Sequence, residues 1–260
     1  MKKFFIKSFK ILNVLLVLTI WGFLAYTIIE KNIEKKKSKK ENNDYNIALI
    51  KINNTIDNTM ADKLYGKIEK AEEDEKVEAI IYEFSSGGGK ISPSFEIESL
   101  VRKSKKHKIS YIRNAAASGA YLIASATDSI YATISSAVGS ISAKISFIEN
   151  SKKLKKEGKT YINLTSGKYK SILDPNKSMT LEEKDILLEN LNYSHDNFVN
   201  RVSLNRNIPI ELMDTISDGR VFYGNKAIKL KLIDKLIENR NDIKYILEQK
   251  IGHKVKIKTF

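Results

Sequence analysis

The chain has 260 residues and no cysteine, which excludes a disulfide framework, a thiolate nucleophile and a cysteine metal site. The length allows one soluble domain of about 200 residues with its own core, plus one further segment. The formal net charge is +14, but lysine supplies all but six of the 45 basic residues, and they are scattered along the chain. Proteins that bind nucleic-acid phosphates favour arginine, whose guanidinium group can donate two hydrogen bonds to one phosphate. We therefore interpret this lysine-rich charge as a solvated surface and expect no nucleic-acid partner.

An uncharged segment lies near the N-terminus, from Ile11 to Ile29. As a helix rising about 1.5 Å per residue it reaches roughly 28 Å, close to the hydrocarbon thickness of a bilayer. It has no small-residue exit site, so residues 1–29 are predicted to form a short stub and an uncleaved transmembrane anchor. Lysines lie on both sides and leave the orientation open. Residues 30–45 are predicted to be a polar linker that can meet anionic lipid head groups.

Strands and helices alternate from residue 46 onward. Apolar runs predict strands at Asn46–Ile52, Val77–Phe84, Lys108–Arg113 and Ser129–Thr133. Helical spacing predicts helices at Met60–Ala71, Ser94–Lys103 and Ser118–Thr127, then a mainly helical tail from Thr180 with a break at Ser217–Gly224 and a last helix near Asn241–Lys250. This alternation predicts an α/β domain over residues 46–260, with a mostly parallel sheet covered by helices.

Functional residues of such sheets lie beyond the carboxyl ends of the strands, where SSGGG (85–89) and NAAASG (114–119) stand. Ser118 in a strand-to-helix turn is suited to be a nucleophile, with the Gly119 amide at the positive end of the helix dipole. The loop of Gly87, Gly88 and Gly89 can bring a second amide to an oxyanion, because glycine has no side chain to hold a substrate away. The alternatives are a helix N-cap for Ser118 and a flexible turn for the glycines.

A serine nucleophile requires a base, and histidine is the usual one. His107, His195 and His253 all stand in polar stretches and are predicted to face solvent, which disfavours a histidine-based triad. The known alternative is a lysine that burial keeps uncharged. Among so many lysines, the residue pattern alone selects none.

Five segments in the expected order resemble the signal peptide peptidase A family, membrane-anchored serine proteases of peptidase family S49. They are VEAIIYEFSSGGG (77–89), AAASGAYLIASATDSIYA (115–132), VGSIS (138–142), TSGKYKSILDP (165–175) and ISDGRVFYGNKAIKLKLID (216–234). The similarity extends from about residue 46 to the end, and its specificity comes from the five segments together. It implies a ClpP/crotonase-like fold of repeated ββα units in a short, single-repeat member of the family.

The resemblance also assigns roles to residues. It makes Ser118 the nucleophile and Lys170 the general base of a Ser/Lys dyad, and it makes Ser140 the residue that orients the lysine amine. We expect the oxyanion amides at Gly87, Gly88 and Gly119, and no metal or other cofactor. In short relatives the neighbouring protomer supplies the lysine within a ring-like homo-oligomer. Lys168, two positions before Lys170, fits the Tyr-Lys motif less well.

The activity implied is that of a serine endopeptidase that hydrolyses extended peptides, such as signal-peptide remnants, with small or apolar side chains near the scissile bond. The resemblance places one span in the bacterial cytoplasmic membrane, with a cytoplasmic stub and the protease domain on the outer side. Ser86, Ala120 and Ser142 replace a proline and two glycines of the family pattern. Two alternatives stay open: a catalytically impaired peptide-binding scaffold of the same fold, and a crotonase-type acyl-CoA enzyme.

Overall fold

The computed structural model describes residues 21, 23–31 and 45–260. The chain divides between Tyr45 and Asn46, and the larger unit, Asn46–Phe260, carries the elements described below. The predicted span Ile11–Ile29 and the predicted linker lie largely outside the described residues. The described residues 23–31 are helical. No helix in the described part of the chain has the length and apolar character needed to cross a bilayer.

Residues 46–260 form the α/β domain that the alternating pattern predicts. Its strands are β1 (Ile47–Asn53), β2 (Ala79–Ser86), β3 (His107–Ala117), β4 (Ser129–Ala132), β5 (Ala137–Gly139), β6 (Val221–Phe222), β7 (Lys235–Leu236) and β8 (Ile257–Thr259). Its helices are α1 (Asn58–Glu73), α2 (Ile91–Lys103), α3 (Gly119–Ser125), α4 (Ser151–Lys156), α5 (Leu181–Arg206), α6 (Ile210–Met213), α7 (Gly224–Lys229) and α8 (Arg240–Ile251).

The strands form one sheet in the order β6-β5-β3-β2-β1-β8, with β4 paired to β3 and β7. Its pairings are parallel except that of β5 with β6. The long strand β3 pairs first with β4, at Ile109–Ile112, and then with β5, at Ala115–Ala117. The predicted strand ended at Arg113, because alanine is uncommon in strands. Pairing with β5 and β2 extends the strand to the residue before Ser118.

The core lies around β1, β2 and β3. Ile50, Ile80 and Phe84 are fully buried, and the central strands read as nearly continuous apolar runs because helices cover both faces. Helix α1 begins where the Asp57 side chain accepts the Met60 N–H at 2.8 Å, a typical N-cap. The packed core therefore supports the carboxyl ends of β2 and β3, which lead to the glycine loop and to Ser118.

A buried carboxylate on α2 attaches the long helix α5 to the core. Glu98 on α2 is fully buried and accepts hydrogen bonds from Arg102 at 3.2 Å, Arg201 at 3.1 Å and Asn205 at 3.0 Å. Asn205 also donates to the Ser125 hydroxyl of α3 at 3.0 Å. Removing one member of such a network leaves buried charge unpaired, so the network holds the C-terminal half of α5 in place.

Residues 143–197, called the arm below, lie outside the core. Glu183 is the one buried residue in this range, which contains α4 and the N-terminal half of α5. The arm exposes many large apolar side chains, among them Ile145, Phe147, Ile148, Tyr161, Ile162, Leu164, Leu173, Leu181, Leu188 and Tyr193. Contiguous exposed apolar patches are typical of interaction surfaces, whereas single exposed apolar residues are ordinary.

Candidate active site

Ser118 lies at a sharp turn between β3 and α3. Its φ of 53° and ψ of −128° are costly for a residue with a side chain. Two backbone hydrogen bonds hold the turn: the Ser118 N–H donates to the Gly139 carbonyl at 2.8 Å, and the Leu122 N–H donates to the Ser118 carbonyl at 3.0 Å. The serine occupies the N-cap position of α3, but its side chain makes no capping hydrogen bond. The cap alternative therefore does not explain this hydroxyl.

Gly88 and Gly119 pack backbone against backbone next to Ser118. Gly88 has a φ of 96°, and a Cβ there would lie 2.7 Å from the Ala117 carbonyl oxygen and 2.8 Å from the Gly119 nitrogen. A Cβ on Gly119 would collide with the Ser94 hydroxyl. Glycine is thus required at both positions. The close approach sets the glycine loop beside the amide of Gly119, which is the arrangement an oxyanion needs.

Ser86 ties down the glycine loop. Its hydroxyl donates to the Asn54 carbonyl and accepts the Gly88 N–H at 3.1 Å. The Ile56 N–H donates to the Gly88 carbonyl at 3.0 Å, which adds a third restraint. The Gly88 amide is therefore engaged by Ser86, whereas the Gly119 amide has no hydrogen-bond partner among the described residues. Hydrogen bonds hold the loop here in place of the rigid proline of the resembled family.

An open cleft of about 620 Å³ surrounds Ser118. Ser140 lines the same cleft, and it too has a positive φ, of 52°, with its N–H on the Arg220 carbonyl at 2.9 Å. The other lining residues include Thr55, Gly87, Gly88, Gly89, Ile91, Ser142, Ala143, Lys144 and Gly219. Strand β5 thus supplies both the carbonyl that anchors Ser118 and the strand end at which Ser140 stands.

A small pocket opens beside the serine. Its apolar wall includes Phe95, Leu122 and Phe198, and its volume is about 20 Å³. Ser194, on the same helix α5 as Phe198, also lines it. Its size and largely apolar wall suit a small apolar side chain.

Lys170 lies elsewhere in its own chain. It stands on an exposed turn, where its N–H donates to the Gly167 carbonyl at 3.1 Å, and it is not among the residues that line the cleft. The lysine that does line the cleft is Lys144, which no sequence motif marks. Within residues 45–260 the Ser118 hydroxyl makes no hydrogen bond, so no base of the described chain contacts it.

Lys168 has a different environment from Lys170. Its Nζ lies 2.7 Å from Glu182 Oε1, and Tyr169 donates to the same carboxylate oxygen. The hydrogen bond to Glu182 raises the pKa of Lys168 above its ordinary value. A lysine held as a cation in this way is poorly suited to accept a proton.

None of the three histidines lines the cleft around Ser118. His107 begins β3, at the opposite end of the strand from Ser118, with its Nδ1 2.7 Å from Asp128 Oδ2. Burial, with help from the nearby Lys250, lowers the pKa of His107. His253 pairs with Glu78 at 3.1 Å. Among the described residues, no group of three His, Cys, Asp or Glu side chains is placed to hold a metal ion.

Comparison with known proteins finds a matching family model and several relatives that are named as proteases. The model of peptidase family S49 matches residues 101–253, a range that includes Ser118, Ser140 and Lys170. The chain is 31% identical over 223 residues to a protein of Enterococcus faecium that bears the name signal peptide peptidase SppA, covering 80% of this chain and 63% of the relative. It is 32% identical over 174 residues to a protein of Methanocaldococcus jannaschii named as a protease, covering 65% and 55%.

A further relative is a protein of Buchnera aphidicola named as a protease SohB, 33% identical over 168 residues, covering 63% of this chain and 53% of the relative. The chain thus spans between about half and two thirds of the length of these relatives.

One solved structure has a related architecture. A serine-to-alanine mutant of a membrane-bound stomatin-specific protease superimposes with a TM-score of 0.57 at 14% identity, covering 83% of this chain and 97% of that one. At this identity the likeness concerns the fold alone, and it confirms the predicted α/β class.

Proposed function

The chain belongs to peptidase family S49, and from that membership we propose that it is a serine endopeptidase whose nucleophile is Ser118 and whose base is Lys170 of a neighbouring protomer. The observation that carries the proposal is the strained turn at Ser118, opening onto a cleft shared with Ser140 and the glycine loop. Strain of this kind persists only where the surroundings impose it, and it concentrates at functional sites.

In the proposed first step, the uncharged amine of Lys170 takes the proton of the Ser118 hydroxyl as Oγ attacks the peptide carbonyl carbon. The Gly119 amide and an amide of the glycine loop then donate to the oxyanion, each worth roughly 3 kcal/mol of barrier. The ammonium returns its proton to the leaving amine, and the acyl group stays on Ser118. Water, deprotonated by the same amine, releases the second product.

Ser140 is proposed to position the amine. It lies in the same cleft as Ser118, and β5 couples it to the Gly139 carbonyl that anchors the nucleophile. A hydroxyl there can accept a hydrogen bond from the incoming lysine and hold its lone pair toward Ser118. Because burial disfavours the charged form of a lysine, entry of the amine into a neighbour's cleft also suits it to act as a base.

A second copy of the chain is the proposed partner of the arm. The arm carries Lys170 and exposes apolar side chains such as Ile162 (75%) and Leu164 (91%) that nothing in the described chain covers. Contact with a neighbour would bury this surface and bring the lysine to the neighbour's serine. We propose a homo-oligomeric ring in which a lone protomer is inactive.

The proposed substrates are extended peptides with small or apolar side chains near the scissile bond, because the pocket beside Ser118 is small and its wall is largely apolar. An extended peptide can add as a strand beside the glycine loop, with main-chain hydrogen bonds giving affinity. Remnant signal peptides are the proposed natural class, following the name of the Enterococcus relative. The proposed location is the bacterial cytoplasmic membrane, with one span at residues 11–29 and the protease domain on its outer side.

A peptide-binding scaffold is the second candidate, because three residues depart from the family pattern. The surroundings of these residues favour an active enzyme. Ala120 is fully buried and does not line the cleft, and Ser86 restrains the glycine loop through two hydrogen bonds. Ser142 alone of the three lines the cleft.

The test is cleavage of an unfolded peptide by the full chain and its variants. Ser118→Ala and Lys170→Ala should each lower turnover at least about 1000-fold, because each removes a member of the reacting pair. Lys168→Ala, the matched control two residues away, should cut at nearly the wild-type rate. Equal rates for wild type and both dyad variants would refute the mechanism. Loss with Lys144→Ala but not with Lys170→Ala would place the base in the same chain as the serine.

A further inference from the structure

We propose that copies of this chain join through α4 of one arm and the outer face of α5 on the next copy. The inference rests on the proposed function, since a shared dyad requires an interface, and it names the two surfaces that form that interface. Three observations carry it: the charge of α4, the charge of α5 and the position of α5 beside Ser118.

Helix α4 is a strongly basic surface, and Glu149 is a nearby acidic group that interacts with Lys152. Its sequence is SKKLKK, and the four lysines are Lys152, Lys153, Lys155 and Lys156. All four are exposed, and none makes an ion pair within the described part of the chain. Like charges this close on a helix repel one another, so an acidic partner surface would stabilise them. Ile148, three residues before the helix, is 78% exposed and adds an apolar contact.

The N-terminal half of α5 presents the complementary surface. Asp185, Glu189 and Asp196 line a shallow depression of about 520 Å³ together with Leu188, Asn192 and Tyr193. These positions recur at helical spacing and so lie along one side of the helix. Leu188 and Tyr193 are 43% and 72% exposed, which gives the acidic face an apolar centre.

The three carboxylates are unpaired, in contrast with the acids at the start of the same helix. Glu182 pairs with Lys168, and Glu183 pairs with Lys177. Between residues 45 and 260, Asp185, Glu189 and Asp196 make no ion pair. The described protomer therefore presents excess positive charge on α4 and unpaired carboxylates on α5.

These two surfaces do not pair with each other within one described chain, so we assign their pairing to different copies. Because the two surfaces differ, each copy contacts one neighbour through α4 and the other neighbour through α5. Such a head-to-tail contact repeats from copy to copy and closes into a ring when the rotation between copies allows it.

Docking at this place brings the arm to the neighbour's serine. Helix α5 continues from its acidic face to Ser194 and Phe198, which line the small pocket at Ser118. The distance along the helix from Asp185 to Phe198 is only about 20 Å. An arm lying along the acidic face therefore ends beside the active site of that neighbour.

The docking helix and the lysine turn are also connected. The Asn150 N–H donates to the Pro175 carbonyl at 2.6 Å, and the Ser151 and Ser178 hydroxyls lie 2.9 Å apart. These contacts join the start of α4 to the segment that follows Lys170. Placing α4 on a neighbour thus helps to place Lys170 as well.

Charge reversal tests the interface in the full chain. One variant replaces the four α4 lysines by glutamate, and the other carries Asp185→Lys, Glu189→Lys and Asp196→Lys. The matched control reverses four exposed lysines that lie outside the arm and make no described ion pair: Lys63, Lys105, Lys226 and Lys229. The readouts are oligomeric state by sedimentation velocity and cleavage of an unfolded peptide.

Each reversed variant alone should dissociate, with an apparent dissociation constant at least about 100-fold higher than that of wild type, because like charges then face each other. An equal mixture of the two should reassemble and regain cleavage, since each contact in an alternating ring again joins opposite charges. Recovery on mixing also excludes misfolding as the cause of the loss. The control should assemble as wild type does.

Three results would overturn the interface. The reversed variants could assemble normally, or their mixture could stay dissociated. The α4 variant could also assemble normally while losing binding to vesicles that contain phosphatidylglycerol, which would assign α4 to a lipid surface instead. Failure of the proposed function has a different signature: Ser118→Ala would still cleave peptide, whatever the assembly of the charge-reversed variants.

Discussion

The sheet core and the arm of this protein differ in the burial of their apolar side chains. Ile50 and Phe84 in the core are fully buried, whereas Leu164 in the arm is 91% exposed. The core is complete within one protomer, whereas the described chain leaves these side chains of the arm uncovered. The proposed catalytic residues divide along the same line, with Ser118 and Ser140 on the core and Lys170 on the arm. Assembly would therefore be what completes the site.

The sharpest test of this contrast compares two truncations of apolar side chains. Ile50→Ala should lower the free energy of unfolding by about 2–5 kcal/mol, because it leaves a cavity in the core. Leu164→Ala should change it by less than about 0.5 kcal/mol, because the side chain contacts little within the protomer. Urea unfolding of the full chain at low protein concentration measures both. Similar losses for the two variants would mean that the arm is packed within a single copy.

A smaller difference in stability is expected between substitutions of two adjacent glycines in the loop beside Ser118. Gly88→Ala should lower the free energy of unfolding by about 1–3 kcal/mol, because Gly88 has a positive φ and its backbone abuts Ala117 and Gly119. Gly87→Ala is the matched control, since a Cβ there meets nothing within 4 Å. Thermal and urea unfolding compare the two. Equal stability would show that the glycine loop does not pack against the Ser118 turn.

The smallest expected effect contrasts a hydroxyl of the core with one of the arm. Ser86→Ala removes the hydrogen bonds to Asn54 and Gly88 and should lower the free energy of unfolding by about 1 kcal/mol, with turnover reduced as the loop loosens. Ser151→Ala, which removes an exposed hydroxyl of the arm, should leave the free energy of unfolding within about 0.5 kcal/mol of wild type. Parallel unfolding and peptide-cleavage assays measure the pair. A larger loss of stability for Ser151→Ala would contradict the contrast.

Much of the core was predictable because its signals are local. Apolar runs and helical spacing predict β1, β2, α1 and α2, and the small residues that follow the third predicted strand indicate the turn at Ser118. The end of β3 was predicted too early, because its last three residues are alanines that become a strand only by pairing with β5 and β2. That pairing depends on tertiary contacts that no short sequence pattern contains.

Other features of the site depend on such contacts as well. Ser86 restrains the glycine loop by hydrogen bonds, where the family pattern has a proline. Lys144 lines the cleft although it belongs to no motif. The pairing of Lys170 with Ser118 is proposed only from the family resemblance. Nothing in the local pattern of the arm specifies what covers its exposed side chains, because the residues proposed to cover them belong to another copy.

The most direct test of the central claim is complementation between inactive subunits. Ser118→Ala and Lys170→Ala chains, each inactive alone, are coexpressed so that mixed oligomers form. If the dyad is shared across an interface, the mixture should regain about a quarter of the wild-type rate, because one site in four then joins an intact serine to an intact lysine. Mixed oligomers that form normally and remain inactive would contradict the account.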